Sequence, residues 1–364
     1  MAKTNNEEQR LRQLRAKIDA LDEKIQALIT RRAQTAQAIA KTKHNNGATH
    51  YYRPEREAEV LRRVIERNNG PLPNEDMARL FREIMSACLA LESPLKIAFL
   101  GPAGTFTQEA ALKHFGHSVE TVPLGAIDEV FREVEAGNTH FGVVPIENST
   151  EGVVNHTLDM FLVSSLKICG EVALRVHQQL LGRRTDMQGA RRLVSHQQSL
   201  AQCREWLDAH LPNVERVAVA SNAEAARLAA ADETVLAIAG DSAAKLYGLN
   251  VLASKIEDRP DNTTRFLVIG NLDAGVTGRD KTTVLVAGKN RPGALHKLLA
   301  PLARHGINMT RIESRPSRRS AWEYVFFIDV EGHVREPKVA RVLKLLEAEA
   351  AFFKCLGSYP KAVR

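Results

Sequence analysis

The sequence has 364 residues, 44% hydrophobic and 26% charged, with a formal net charge of +7; this is the balance of a globular protein of two or three domains, not of a disordered or fibrous chain. No apolar run reaches membrane-spanning length and "MAKTNNEEQRLRQLR" lacks the apolar segment of a signal peptide, so a cytoplasmic protein with no membrane partner is expected. Basic residues are spread along the chain, aromatics are only 5%, and no nucleic-acid motif is present, which argues against nucleic acid and leaves an acidic surface or small anionic substrates as reasons for the charge.

Cys88, Cys169, Cys203 and Cys355 are scattered and form no CxxC pair, and the histidines are unclustered. That spacing predicts reduced thiols and neither a metal site nor a cofactor.

In chain order, residues 7–92 read as helices. The first runs from Glu7 to Lys43 with an apolar seam at Leu11, Leu14, Ile18, Leu21, Ile25 and Leu28, spaced by three and four. It would be roughly 55 Å long at 1.5 Å per residue. Pro54 suits the first turn of a second helix, and Asn74 is expected to cap a third that runs to "CLALES". Three helices, one of that length, cannot bury the whole seam within one chain. A helical dimer is therefore expected.

Charges interrupt these apolar faces. Arg32 takes the seam position after Leu28. Glu57 shares the face of Val60, Leu61 and Val64, and Glu92 lies four residues after Cys88 on the face of Phe81, Ile84 and Met85. Arg15 and Lys43 hold equivalent heptad positions roughly 42 Å apart, so they can meet only through a second, antiparallel copy. Singly, each reads as a long side chain lying along apolar surface. As a set, three cations and two carboxyl groups describe a pocket for a multiply charged anion that carries a hydroxyl.

From Leu95 short β-rich runs alternate with helical ones, which predicts an α/β unit with mostly parallel strands. Polar loops follow strands at "GPAGTFTQEAA", "PIENSTEG", "SHQQSLAQC" and "AGDSAAKLYG", where open α/β sheets gather ligands. "GPAGT" is not GxGxxG, so a dinucleotide is poorly supported. "NLDAGVTGRD" reads as a linker. Residues 281–359 follow a βαββαβ order, the ferredoxin-like arrangement of an α+β unit.

Three resemblances cover nearly the whole chain. "LRAKIDALDEKIQALITRR", "AKTK" and "REAEVL" resemble the small all-helical chorismate mutases, whose site is built from two intertwined subunits. The resemblance implies that Arg15 of one subunit and Arg32 of the other bind the two carboxylates of chorismate. Lys43 would reach a carboxylate and the ether oxygen, and Glu57 the ring hydroxyl. Three positions depart from that family's pattern. Arg53 replaces an aspartate, Cys88 a serine, and Glu92 the glutamine that donates to the ether oxygen. Glu92 is expected to act in its protonated form, because an ionised carboxylate has no proton to donate.

The polar loops together with "DNTTRFLVIG" resemble prephenate dehydratase, a two-lobed fold similar to periplasmic binding proteins. The resemblance gives Thr264 the central role of donating a proton to the departing hydroxyl, and places Thr105, Asn148, Ser195, Gln202 and Arg265 at the substrate. Gln197 stands where proline is usual and Gly240 where serine is usual. "GALHKLLAPLARHGINMTRIESRP" resembles the ACT regulatory domain. It implies phenylalanine bound between paired domains at Gly293, Ala294, Leu295, Asn308, Glu313, Ser314 and Arg315, with feedback inhibition.

The expected division is residues 1–93, 95–271 and 281–359. The expected partners are chorismate, prephenate, phenylalanine and further copies of the chain, as a homodimer or tetramer. Two other readings stay open at this point: a dehydratase whose helical region is only a dimerisation arm, and a non-catalytic amino-acid sensor.

Overall fold

The computed structural model describes residues 2–45, 52–289, 291–316 and 324–362, without the side chains of residues 2–5 and 43–45. The helical unit consists of α1 (Ala2–Asn45), α2 (Pro54–Arg67) and α3 (Asn74–Ala90). Pro54 sits in the first turn of α2, where its missing N–H costs nothing. At α3 the capping position falls on Pro73, not on Asn74. Asn74 is the first helical residue, and its side-chain oxygen accepts a hydrogen bond from Asn68 Nδ2 at 2.8 Å. The seam of α1 is exposed in the single chain, from Leu11 at 51% to Leu28 at 65%.

The next unit has two lobes. The first contains β1 (Lys96–Leu100), α4 (Phe106–Phe115), β2 (Glu120–Leu124), α5 (Ile127–Glu135), β3 (Phe141–Asn148), β4 (Gly152–Val153), α6 (Asn155–Val163) and β5 (Lys167–Arg175). The second contains β6 (Gln179–Gly182), β7 (Arg192–His196), α7 (Gln197–Gln202), α8 (Arg204–His210), β8 (Glu215–Val219), α9 (Asn222–Ala231), β9 (Val235–Ala239), α10 (Asp241–Tyr247) and β10 (Asn250–Ala253). The chain then returns to the first lobe as β11 (Thr263–Gly270).

The sheet orders are β2-β1-β3-β11-β5, with β4 on β3, and β10-β6-β9-β7-β8. The expectation of mostly parallel strands needs correcting. β1 is parallel to β2 and β3, and β7 to β8 and β9, but β11 is antiparallel to both β3 and β5. β6 likewise runs antiparallel to β9 and β10. Apart from the short β4, which folds back antiparallel on β3, the antiparallel strands are those next to the crossings between the lobes. They enter each sheet without the crossover helix that would make them parallel.

The C-terminal unit runs β12 (Asp280–Ala287), α11 (Ala294–Arg304), β13 (Met309–Pro316), β14 (Tyr324–Glu331), α12 (Pro337–Glu349) and β15 (Phe352–Pro360). Its sheet is antiparallel with order β13-β14-β12-β15, the expected βαββαβ arrangement. One face packs Val284, Val286, Ile328 and Val330 under the two helices. The other face places Leu285, Val325, Phe327, Leu356 and Tyr359 in the same core as Ile146, Phe161, Ile168 and Leu267 of the first lobe. The C-terminal sheet is thus packed directly onto the back of the lobed unit.

Candidate functional site

The polar residues of the lobed unit converge through β3 and β11. Their register sets Thr264 opposite Asn148. Asn148 Oδ1 accepts from the backbone N–H groups of Thr150 (2.9 Å) and Glu151 (3.1 Å). Those two donors fix the amide, so Nδ2 must face the other way. It donates to Thr264 Oγ1 at 2.7 Å and to Asn262 Oδ1 at 2.9 Å. The Thr264 oxygen is therefore an acceptor in this bond, and its own hydrogen stays available for a further partner.

From there a chain of neutral groups crosses to the second lobe. Asn262 Nδ2 donates to Gln202 Oε1 at 3.1 Å, which also accepts from Gln178 Nε2 at 3.2 Å. Gln178 donates in turn to Ser199 Oγ at 3.1 Å. Asn222 closes the chain, donating to Ser199 Oγ at 2.8 Å and accepting from Ser195 Oγ at 3.0 Å. Ser195 is fully buried. Beside this chain an open cleft of about 380 Å³ is lined by Thr150, Gln202, Glu257, Arg259 and Asn262.

Four of the residues expected from the sequence, Asn148, Ser195, Gln202 and Thr264, are thus joined in one network. Asn262, Gln178, Ser199 and Asn222 are the links that sequence reading missed. Asn262 stands in the quoted "DNTTRF" and Ser199 in "SHQQSLAQC"; their signal was present but not separable from ordinary loop polarity. Thr105 is not a link in this hydrogen-bonded chain; it precedes α4, and its hydroxyl donates to Leu100 O at 3.2 Å. Arg265 leaves the opposite face of β11 from Thr264 and is held by Glu171 at 2.8 Å and Asp329 at 2.7 Å. Burial works against its charge, but Tyr359, Asp329 and Glu171 outweigh that and raise its pKa further.

In the helical unit, Arg15 is exposed and Arg32 is partly buried with no hydrogen-bond or ion-pair partner among the described residues. Lys43 lies on α1, but its side chain is outside the described residues. Cys88 is buried, and Glu92 sits partly buried in the turn after α3. Arg53 is turned to Glu55 at 2.6 Å.

Glu57 and Arg32 form no ion pair within the single chain. Glu57 instead pairs with Arg82 of α3 at 3.5 Å, each side chain 17% exposed. The Tyr52 hydroxyl also favours the ionised form of Glu57. A narrow cavity of about 50 Å³ beside Glu57 is lined by residues of all three units, among them Tyr52, Arg82, His114, Cys169 and Lys361. Burial pushes the Glu57 carboxyl up to about 7, against the opposing pull of Arg82 and Tyr52.

In the C-terminal unit, Gly293 precedes α11 in the left-handed conformation (φ 75°) that glycine adopts without strain. Ala294 opens that helix and Leu295 is 38% exposed. Asn308 accepts a backbone bond from Glu331 N at 2.9 Å. Glu313, Ser314 and Arg315 follow on β13, the sheet edge, with Ser314 exposed. Arg315 donates to Asp159 of α6 at 2.8 Å.

Among the described residues no group of acidic, cysteine or histidine side chains could hold a metal ion, and no helix is long and apolar enough to cross a membrane.

Three family models match: chorismate mutase type II over residues 14–93, prephenate dehydratase over 97–274, and the ACT domain over 282–347. The bifunctional chorismate mutase/prephenate dehydratase of Stutzerimonas stutzeri is 59% identical over 363 residues, covering 98% of this chain and 100% of that one. The enzyme of the same name from Pseudomonas aeruginosa is 58% identical, covering 98% of this chain and 99% of its own. Among solved structures, the prephenate dehydratase of Arthrobacter aurescens in complex with L-Phe aligns with a TM-score of 0.69 and 36% identity, over 74% of this chain and 90% of that one. With its helical, two-lobed and ACT units in that order, the chain belongs to the bifunctional chorismate mutase/prephenate dehydratase family.

Proposed function

We propose that this chain carries out two consecutive steps toward phenylalanine at separate sites and is inhibited by phenylalanine. In the first, chorismate rearranges to prephenate between two copies of the chain. Arg15 from one copy and Arg32 from the other take the carboxylates. Lys43 and Glu92 address the ether oxygen, Glu57 the ring hydroxyl, and Arg53 and Cys88 complete the wall. The rearrangement is pericyclic, so the pocket needs no nucleophile. It has to hold the compact conformer and place positive charge at the oxygen that gains electron density. The exposed Leu11–Leu28 seam supports the two-copy arrangement, as does the edge strand β13 for pairing of the ACT units.

In the second step, prephenate loses its ring carboxylate as carbon dioxide, and the electron pair left behind aromatises the ring as hydroxide departs. Thr264 donates the proton that turns the leaving group into water. The observation that carries this reading is the 2.7 Å bond from Asn148 Nδ2 to Thr264 Oγ1 beside the interlobe cleft. It polarises the hydroxyl and leaves the hydrogen free. Gln202, Ser195 and Thr105 line or support the substrate.

Chorismate is supplied, and prephenate and phenylpyruvate are followed separately with and without phenylalanine. Arg32→Ala is expected to stop the first step and spare the second; Thr264→Ala is expected to do the reverse. Loss of both activities from either change in a folded protein overturns the two-site reading.

A further inference from the structure

Thr264 and Arg265 are consecutive on β11, and Glu147 and Asn148 are consecutive on β3. Their side chains alternate between the two faces of the sheet. The register sets Thr264 against Asn148 and Arg265 against Glu147. The reacting pair therefore occupies one face, and a charged pair lies directly behind it.

The ACT sheet meets that charged pair with one of its own. Arg311 on β13 stands opposite Asp329 on β14. Across the interface Arg311 Nε donates to Glu147 Oε2 at 3.0 Å, and Arg265 Nη1 donates to Asp329 Oδ2 at 2.7 Å. The four residues form a square of alternating charge, two corners on the dehydratase sheet and two on the ACT sheet. Asp329 is further anchored by Thr283 Oγ1 at 2.7 Å, and Arg265 by Tyr359 at 3.1 Å. The β11–β3 register shifts between Arg265 and Phe266, immediately beside the square. A bulge re-aims the side chains next to it, and its local geometry depends on what holds it.

We propose that Glu147 and Arg265 are positioning residues through which the ACT unit sets the alignment of Asn148 and Thr264. The square then couples an effector on the ACT unit to dehydratase turnover. This deepens, and rests on, the reading of Thr264 as the proton donor and of phenylalanine as the effector. β13 is the lever. Between its two anchors, Arg311 on Glu147 and Arg315 on Asp159, it carries Glu313, and Ser314 adjoins the second anchor. An effector favouring one arrangement of β13 acts on both anchors, and its differential affinity for the two arrangements is what turnover reads.

The test uses full-length Asp329→Asn and Arg311→Met, neither of which touches the cleft. Phenylalanine binding is measured by calorimetry, and prephenate turnover is followed against phenylalanine concentration. Expected is retained phenylalanine binding and unchanged mutase turnover, with the inhibition midpoint raised by about tenfold or more, within the range of allosteric couplings. Asp329→Glu, which keeps the charge, is expected to restore part of the coupling. An unchanged midpoint in both folded variants overturns the proposal, and so does loss of phenylalanine binding itself. Absence of phenylalanine inhibition in the unaltered protein, or full dehydratase activity in Thr264→Ala, would instead defeat the functional reading beneath it.

Discussion

The Tyr52 hydroxyl lies 3.0 Å from His114 Nε2, which ties the start of the mutase's second helix to the first helix of the dehydratase. Burial and the nearby Arg82 hold the His114 imidazole neutral, with its pKa down at about 3. Burial and Glu57 push the Tyr52 phenol up, so it keeps its proton. An ionised Glu57 carboxylate attracts that proton, and His114 then donates from Nε2 to the phenol oxygen. Glu57 thus reaches the dehydratase through one tyrosine.

The first prediction concerns pH. The folded pKa of Glu57, about 7, lies above its ordinary 4.5. Between those values the folded chain binds the proton and the unfolded chain does not. Stability is greatest below the ordinary value and declines as pH rises through the folded one, by at most about 3 kcal/mol for a shift of this size. Thermal unfolding from pH 5 to 8 is expected to show this decline. Glu57→Gln should flatten it, and Tyr52→Phe, which removes a donor to the carboxylate, should move it to higher pH. An identical pH profile in Glu57→Gln sinks the assignment.

The second prediction reverses one hydrogen bond. Asn148→Asp keeps size and backbone contacts but replaces the donor facing Thr264 by an acceptor. The Thr264 proton is then drawn to the carboxylate, and the new oxygen also faces Asn262 Oδ1. Dehydratase kcat is expected to fall by about 10²-fold, the scale of a lost general acid, with mutase turnover unchanged. Thr264→Ser, which keeps the hydroxyl, should retain most of the activity. Comparable activity in Asn148→Asp and the unaltered protein would exclude Thr264 as the donor.

Local pattern carried much of this architecture. The three-and-four spacing of Leu11 to Leu28, Pro54 at a helix start and the βαββαβ order of residues 281–359 are features of neighbouring residues, and each is present in the fold. Asn148 ends β3 and Ser195 lies one residue before the end of β7, where polar residues stand out, whereas Gln202 at the end of α7 and Thr264 near the start of β11 were legible through the resemblance of their motifs. Relations between distant segments were not. Arg265 reads as a substrate partner beside Thr264, but pairing with Glu171 and Asp329 is decided by which strand pairs and which sheet docks behind it. Glu57 follows the same logic. Its apolar face is evident from Val60 and Leu61, whereas the His114 and Cys169 that approach it lie in another unit. The antiparallel return of β11 is likewise a consequence of the chain crossing between lobes, which β propensity does not encode.

The third prediction tests the exposed seam. Ile18 and Ile25 are 55% and 53% exposed in the single chain, and a second copy covering them buries apolar area that water otherwise meets. Ile18→Asp combined with Ile25→Asp places two carboxylates in that interface. Sedimentation is expected to show a smaller assembly and mutase activity is expected to be lost, because Arg15 and Arg32 then have no partner copy. Dehydratase turnover should persist. An unchanged sedimentation coefficient with full mutase activity would place the oligomer contact elsewhere.

The fourth prediction concerns how closely the ACT sheet approaches the dehydratase. Gly357 on β15 has φ 145°, and a Cβ there would lie 2.3 Å from Ile168 O and 3.0 Å from Ile168 N on β5. Backbone atoms cannot step aside as a flexible side chain can, so alanine must move one strand against the other. The backbone conformation is itself one that side chains resist. The register of β12 on β15 already shifts between Thr283 and Val284, opposite this glycine, so the strand has little freedom to absorb a second distortion. Gly357→Ala is expected to cost about 1–3 kcal/mol by overpacking. The cost should appear as a lower first thermal transition, with the two sheets separating while the mutase helices keep theirs. Wild-type melting in Gly357→Ala would mean that β15 and β5 stand further apart in solution than this packing requires.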